Sequence, residues 1–258
     1  IFGSIQTIYR QEHLNKFSKK HFDYIIMDET HHASDENITY RNILKYFQPK
    51  YLLGLTATPT RTDEFNILKD VYDGNLVYEI DQYEAVQKGY LVPCEYNFLT
   101  DNIDYTNITW HGNKYYEDDL NEKLLVPKRD KKIIDEYKAL KPKPLKTLGF
   151  CIGIKHAERM AEVFNKEGIK SRAIHSGNKE FPLSKENRKK YTKEFEKSRI
   201  EVAFVKDIFN EGIDIKQIDC LFILRPTESS TIAIQQLGRG LRLAPGKDKL
   251  RVLNFIGK

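Results

Sequence analysis

Cysteine is scarce in this chain, and what there is stands scattered. Cys94, Cys151 and Cys220 are isolated and odd in number, with no metal-ligand spacing. That suits reduced core thiols better than a disulfide framework, with the cytoplasm as the expected compartment. No uninterrupted apolar stretch approaches the roughly 18 residues of a membrane span, and no secretory leader pattern is present. Internal repeats and low-complexity tracts are absent too. Missing as well is any Gly-x-x-x-x-Gly-Lys-Ser/Thr stretch, the loop whose amides cradle phosphates. The charge excess is mild: a net +5 permits a polyanionic partner without requiring one.

What is present describes an ordinary globular chain, long enough at 258 residues for two modest domains. It begins at Ile1 inside an apolar segment and ends at Phe255-Ile256-Gly257-Lys258 just after another, so a piece of a longer protein is expected. Short apolar runs recur at Tyr24 to Met27, Tyr51 to Leu55, Thr147 to Cys151, Val202 to Val205, Leu221 to Leu224 and Val252 to Phe255. They are nearly continuous rather than alternating, as strands covered on both faces should be. Between them lie helical patterns. Ala157, Met160, Ala161 and Phe164 form one buried stripe closed by Gly168, and Ile133, Ile134, Tyr137 and Leu140 form another before Pro142 and Pro144. Strand–helix alternation predicts parallel α/β sheets with right-handed crossovers. Residues 93–144 differ in texture, with Trp110, Gly112-Asn113 and Glu117-Asp118-Asp119, and read as a connector between units at 1–92 and 145–258.

Three constellations carry chemistry. Asp28-Glu29-Thr30-His31 follows the first apolar run, which delivers two carboxylates to the ligand-binding end of a strand. Asp28 and Glu29 suit a nucleotide-bound Mg²⁺, with Glu29 polarising water; as a bare dipeptide they more commonly start a turn or cap a helix. His31 and His32 adjoin these acids, but adjacent histidines lack the i, i+4 spacing that converges zinc ligands. Thr56-Ala57-Thr58-Pro59 offers hydroxyls to the acid–histidine cluster, while Thr58-Pro59 also fits a helix N-cap with proline at N1. Gln235-Gln236-Leu237-Gly238-Arg239-Gly240-Leu241-Arg242 places two guanidiniums three residues apart, on one face if the segment is helical. Its glycines, each costing about 1 kcal/mol in a helix, point to close packing or backbone approach. A solvated basic face is the plainer use of the arginines.

Together and in this order, Asp-Glu-x-His, Thr-Ala-Thr-Pro and Gln-x-x-Gly-Arg-x-x-Arg resemble motifs II, III and VI of superfamily 2 helicases and translocases. Gly3-Ser4-Ile5-Gln6-Thr7 resembles the segment upstream of the acid box that touches the nucleic-acid backbone. Phe150 to His156 sits where motif IV belongs, Ala173-Ile174-His175-Ser176-Gly177 resembles the segment after it, and Phe209 to Ile215 resembles motif V. The wording Gly54-Leu55-Thr56-Ala57-Thr58-Pro59-Thr60-Arg61 and Gly238-Arg239-Gly240-Leu241-Arg242 is similar to the bacterial DEAD/DEAH-box group related to restriction-enzyme motor subunits.

The resemblance implies two RecA-like parallel-sheet domains of P-loop NTPase type, the first incomplete, with ATP in the cleft between them and nucleic acid across their tops. It implies ATP and Mg²⁺ as cofactors, with Asp28 and Glu29 on the metal, and catalytic roles for Asp28, Glu29, His31, Gln235, Arg239 and Arg242, the last as arginine finger. Gly212, Asp214, Thr56 and Thr58 fall near the nucleotide; Ser4, Thr7 and His175 are matched to nucleic-acid contacts. DNA is favoured over RNA because the motif VI wording differs from the His-Arg-x-Gly-Arg form of RNA-directed DEAD-box proteins. Flanking nuclease or specificity domains are expected. The activity implied is ATP hydrolysis coupled to movement on DNA by the full-length protein, with this piece inactive alone. Two alternatives stay open: a restriction-type translocase on duplex DNA, and a non-catalytic helicase-like scaffold.

Overall fold

The computed structural model describes residues 1–33, 38–57, 66–100, 110–111, 114–115, 124–140, 146–206, 215, 217–225 and 237–256. The chain divides into two compact units, Ile1–Ile80 and Asp81–Lys258.

In the first unit, β1 (Tyr24–Met27) and β2 (Tyr51–Gly54) pair in parallel, Tyr24 opposite Tyr51 and Met27 opposite Gly54. Helices α1 (Ile5–Ile8), α2 (Gln11–Leu14), α3 (Ile38–Tyr46) and α4 (Ile67–Tyr72) accompany them. The period of two sends Ile25 and Leu52 inward, where they join Met27, Tyr40 and Val71. A neighbouring cluster gathers Leu14, Ile43 and Phe47 with Phe17 and Phe22. The opposite face is bare. Tyr24, Ile26, Tyr51 and Leu53 are 67%, 64%, 57% and 39% exposed, and the two tyrosine rings stack at 4.7 Å. Burial on both faces, expected from the continuous apolar runs, therefore fails for these two strands, because no described element of this unit covers their outer side.

The second unit is built on a fully parallel sheet in the order β3-β10-β9-β6-β8-β7. Its strands are β3 (Cys94–Thr100), β6 (Thr147–Phe150), β7 (Ser171–Ile174), β8 (Val202–Val205), β9 (Cys220–Ile223) and β10 (Leu250–Ile256). Every residue of β6, β8 and β9 is buried, as the sequence predicts for central strands. Helices α6 (Pro127–Ala139) and α7 (Ile154–Lys166) cover one face. There the α7 stripe Ala157, Met160, Ala161 and Phe164 meets Tyr137, Phe204, Phe222 and Phe255. The Phe164 and Phe204 rings meet edge to face at 4.9 Å. Gly149 makes this possible, since a Cβ there would lie 2.6 Å from the Phe204 ring. Arg159 of α7 grips Asp130 of α6 through Nε at 2.9 Å and Nη2 at 2.7 Å. Gly168 ends α7 with φ of +75°. The other face packs Phe195 of α8 (Lys185–Glu196) and Leu241 against Leu148, Ile174, Leu221 and Val252.

Residues 93–144, read from the sequence as a connector, contribute β3 and α6 to this second unit. The division falls after Ile80, with α5 (Gln82–Gln87) opening the second unit. A short antiparallel pair, β4 (Trp110–His111) with β5 (Lys114–Tyr115), lies between β3 and α6 in the sequence. Cys151 and Cys220 are buried free thiols whose pKa burial pushes up, which keeps them protonated; Cys94 is half-buried.

Candidate functional site

The acid box leaves the end of β1 through a backbone that few side chains adopt. Glu29 sits in the left-handed region at φ 50°, ψ 45°, where a non-glycine residue carries strain of about 1 kcal/mol. Three bonds hold it there. The Glu29 N–H donates to Asp28 Oδ1 at 3.0 Å, the Thr30 N–H to Leu55 O at 2.9 Å, and the Leu55 N–H to Met27 O at 2.9 Å. The latter two stitch the acid box to the end of β2. The Asp28 side chain is left exposed, and Glu29 is half-exposed.

His31 turns inward, only 4% exposed. Its Nδ1 lies 3.0 Å from Thr56 Oγ1 and 3.3 Å from Glu29 Oε2. The acid and the hydroxyl thus meet at one ring nitrogen, and Thr56 lies against the acid–histidine cluster. Thr30 is pinned by a 2.6 Å bond between its hydroxyl and that of Tyr72 on α4. Burial raises the Tyr72 pKa, and the bond to Thr30 partly offsets this. Gly54 leaves room for that pair, because a Cβ would collide with the Tyr72 hydroxyl and with Thr30 Cγ2. Tyr72 lies 42 residues from Thr30 and carries no sequence signal for this role. Near the N-terminus, exposed Ser4 donates its hydroxyl to that of Thr7 at 2.8 Å.

In the second unit, residues 237–240 are helical, and Arg242 lies beyond the helix end in a backbone bridge with Leu91. The single helical face expected for both arginines is therefore interrupted, since the Val92 N–H captures Leu241 O at 2.9 Å. Arg239 is half-buried and Arg242 exposed. Lys247, missed from the sequence, donates Nζ to the carbonyls of Gly240 and Arg242, capping the helix end. Burial pulls its pKa down to about 8.

The two glycines of this segment differ. A Cβ at Gly240 would stand 2.5 Å from Leu250 Cδ1 and 3.2 Å from Leu221 Cδ1, whereas one at Gly238 meets nothing within 4 Å. Leu250 and Leu221 are fully buried and have little room to yield. Gly240→Ala will lower stability by about 1–3 kcal/mol through overpacking. Gly238→Ala will be neutral or raise it by up to about 1 kcal/mol. Urea unfolding midpoints of the two variants check this.

His175 departs from its sequence reading. Its side chain has no exposed surface, so it does not present itself to a nucleic acid. Its Nδ1 accepts the Gly177 N–H at 3.0 Å, which fixes the proton on Nε2, and Nε2 donates to Glu158 Oε1 at 2.7 Å. The imidazole therefore shapes the turn at Gly177, where φ is +80°. Gln235, Thr58, Gly212 and Asp214 lie outside the described residues.

Comparison with known proteins meets this geometry with matching families. Residues 1–61 match the family model described as Type III restriction enzyme, res subunit, and residues 128–244 match the Helicase conserved C-terminal domain. IRC3 of Saccharomyces cerevisiae, named as a candidate ATP-dependent helicase, is 29% identical over 100% of this chain and 37% of its own length. The Type I restriction enzyme EcoAI endonuclease subunit of Escherichia coli is 28% identical over 91% of this chain and 31% of its own. This chain thus spans about a third of those relatives. Among solved structures, a fragment assigned as the HsdR subunit of a type I restriction enzyme from Vibrio vulnificus aligns with a TM-score of 0.68. It is 23% identical and covers 93% of this chain and 45% of that one. A DEAD box protein from Methanococcus jannaschii, at TM-score 0.51, 20% identity and coverage of 99% and 60%, shares the two-unit parallel architecture. By these matches and by its ordered motifs, the chain is similar to the superfamily 2 helicases of the restriction-motor type, and its parallel α/β units have the RecA-like fold of its structural neighbours.

Proposed function

We propose that the full-length protein hydrolyses ATP and uses the energy to move along DNA. The observation that carries this reading is the convergence of Glu29 and Thr56 on His31 Nδ1 beside the exposed Asp28 carboxylate. Asp28 and Glu29 offer hard oxygen ligands, the donor set that suits nucleotide-bound Mg²⁺. Such an ion, when bound, supplies charge neutralisation at the terminal phosphates. Glu29, set by its left-handed backbone, orients the attacking water and takes up its proton. Glu29 Oε2 and Thr56 Oγ1 converge on one atom of buried His31, Nδ1, so a change at the acid alters what that nitrogen offers the hydroxyl. Arg239 and Arg242 neutralise charge that builds on the transferred phosphoryl group. Gln235, Gly212, Asp214 and Thr58 keep the nucleotide-site roles that the motif resemblance gives them. Ser4 and Thr7 are proposed as backbone contacts, their neighbouring hydroxyls exposed. His175 acts one step back, by shaping the turn at Gly177.

DNA is the proposed track, and the cytoplasm the proposed compartment. The restriction-enzyme relatives support DNA; a further structural relative, the Type ISP restriction-modification enzyme LlaBIII, carries the description "bound to DNA" (TM-score 0.63, 16% identity). Flanking nuclease or specificity domains belong to the same proposal. Phosphate release by the full-length protein will rise on adding DNA, whereas the 258-residue chain alone, with no phosphate-cradling loop, will show no DNA-stimulated turnover. Triplex displacement without strand displacement identifies a duplex translocase; both together identify a helicase. A full-length protein that binds DNA yet releases no phosphate would leave only the scaffold reading.

A further inference from the structure

The formal charge of this chain is unevenly placed. Residues 171–199 hold nine Lys and Arg against four Glu, an excess of five that equals the net +5 of the whole chain. Everything else is balanced. The excess is carried by β7, which lies at one edge of the six-stranded sheet, by α8, and by the segments that join and follow them.

Helix α8 is anchored on one side only. Phe195 is fully buried, Tyr191 packs beside it, and the Arg172 guanidinium of β7 sits 5.4 Å over the Tyr191 ring. Ser184 caps the helix by accepting the Asn187 N–H at 3.1 Å. The other side shows Lys189, Lys190, Lys193 and Lys197, all exposed, with Lys189, Lys193 and Lys197 four residues apart and Lys190 beside the first. Among the described residues none of these four makes an ion pair. Some exposed lysines elsewhere do pair, Lys166 with Glu162, Lys138 with Glu167 and Lys88 with Glu84, but none of those belongs to so dense a basic run. Glu186 lies four residues before Lys190 and could answer it, yet no pair forms among the described residues. Opposite charges at i, i+4 stabilise a helix where they pair. This one leaves its cations facing outward.

We propose that the outer face of α8 is a docking surface for the phosphate backbone of a nucleic-acid duplex, separate from the strand contacts assigned to Ser4 and Thr7. Twelve helical residues make a straight rod of about 18 Å, with cations about 6 Å apart. A duplex presents one phosphate charge per about 1.7 Å of axis along an equally stiff rod, and each neutralised phosphate releases more counterion than on a single strand. Lysine heads on flexible stems suit such contact, which positions without reading sequence. The surface extends the DNA reading above by adding a second place of contact. Its test stands apart from ATP turnover.

The test is a salt titration of the full-length protein and its Lys189→Ala/Lys190→Ala/Lys193→Ala variant, by fluorescence anisotropy on a labelled 20-base-pair duplex. Alanine keeps the helix, and unchanged DNA-free ATP turnover or an unchanged circular dichroism spectrum reports the fold. Three lost contacts will reduce the slope of log K against log salt by about 2 to 3, and affinity at 0.1 M salt by about tenfold or more. An unchanged slope and affinity on the duplex overturns the proposal. A loss confined to a single-stranded probe, or to vesicles containing phosphatidylserine, overturns it too. A wild-type protein without ATP turnover would strike the motor reading while leaving this slope difference in place.

Discussion

Glu29→Gln in the full-length protein will abolish DNA-stimulated phosphate release, by at least about a hundredfold, while ATP binding persists. A positioned general base contributes on the order of 10² to 10⁴ in rate, and glutamine keeps the size of the side chain but removes its capacity to take a proton. The fold should tolerate the exchange. Glu29 is half-exposed, and its backbone is held by bonds from Asp28, Leu55 and Met27 rather than by its own carboxylate. The contact that does change is the 3.3 Å approach of His31 Nδ1 to Oε2, which an amide oxygen can still accept. Rapid-quench hydrolysis and equilibrium binding of a fluorescent ATP analogue separate the two quantities. Retained turnover would remove Glu29 from the chemistry and leave the strained acid box without its proposed purpose.

Arg242→Ala will lower kcat by about 10³-fold or more, the lower end of what arginine fingers contribute. Arg242→Lys will recover little, because an ammonium does not reproduce the planar fork that grips phosphoryl oxygens. The backbone around Arg242 should survive both changes. Its position is set by the bridge to Leu91, by the Val92–Leu241 bond and by the Lys247 ammonium on its carbonyl, none of which uses the guanidinium. Steady-state kinetics with saturating DNA will show the loss in kcat rather than in KM for ATP. A variant that loses affinity but keeps kcat would make Arg242 a ground-state ligand instead. Arg239, half-buried three residues earlier inside the helix, gives a comparison whose loss is expected to include stability as well.

Much of the second unit was legible because its signals are local. The runs at residues 147, 202 and 221 are nearly continuously apolar, and the strands they form are buried at every position. The α7 stripe is a pure 3.6-residue period, and it packs as written. Edge strand β3 was hidden because polar Glu95 and Asn97 interrupt Tyr96 and Phe98, which blurs the apolar signal that central strands give. Long-range bonds left no trace either. Tyr72 reaching Thr30, and Glu158 reaching His175, are matters of tertiary placement. His175 itself misleads: a histidine after a strand looks like a surface ligand until both ring nitrogens are found engaged inside the protein. Gly238 and Gly240 are indistinguishable as letters, and only the side chains above them show which one must lack a Cβ. The order of the motifs carried the family; the strain at Glu29 and the capping by Lys247 needed coordinates.

The stacked pair Tyr24 and Tyr51, with Ile26 and Leu53, leaves an oily plane on the first unit. An apolar sheet face of this kind is adhesive toward any other such surface, its own copies included. Anyone concentrating this chain should therefore meet turbidity before saturation of the polar surface would cause it. Threonine at positions 26 and 53 would keep the strand geometry, leave the inward Ile25 and Leu52 in place, and make the solution behave.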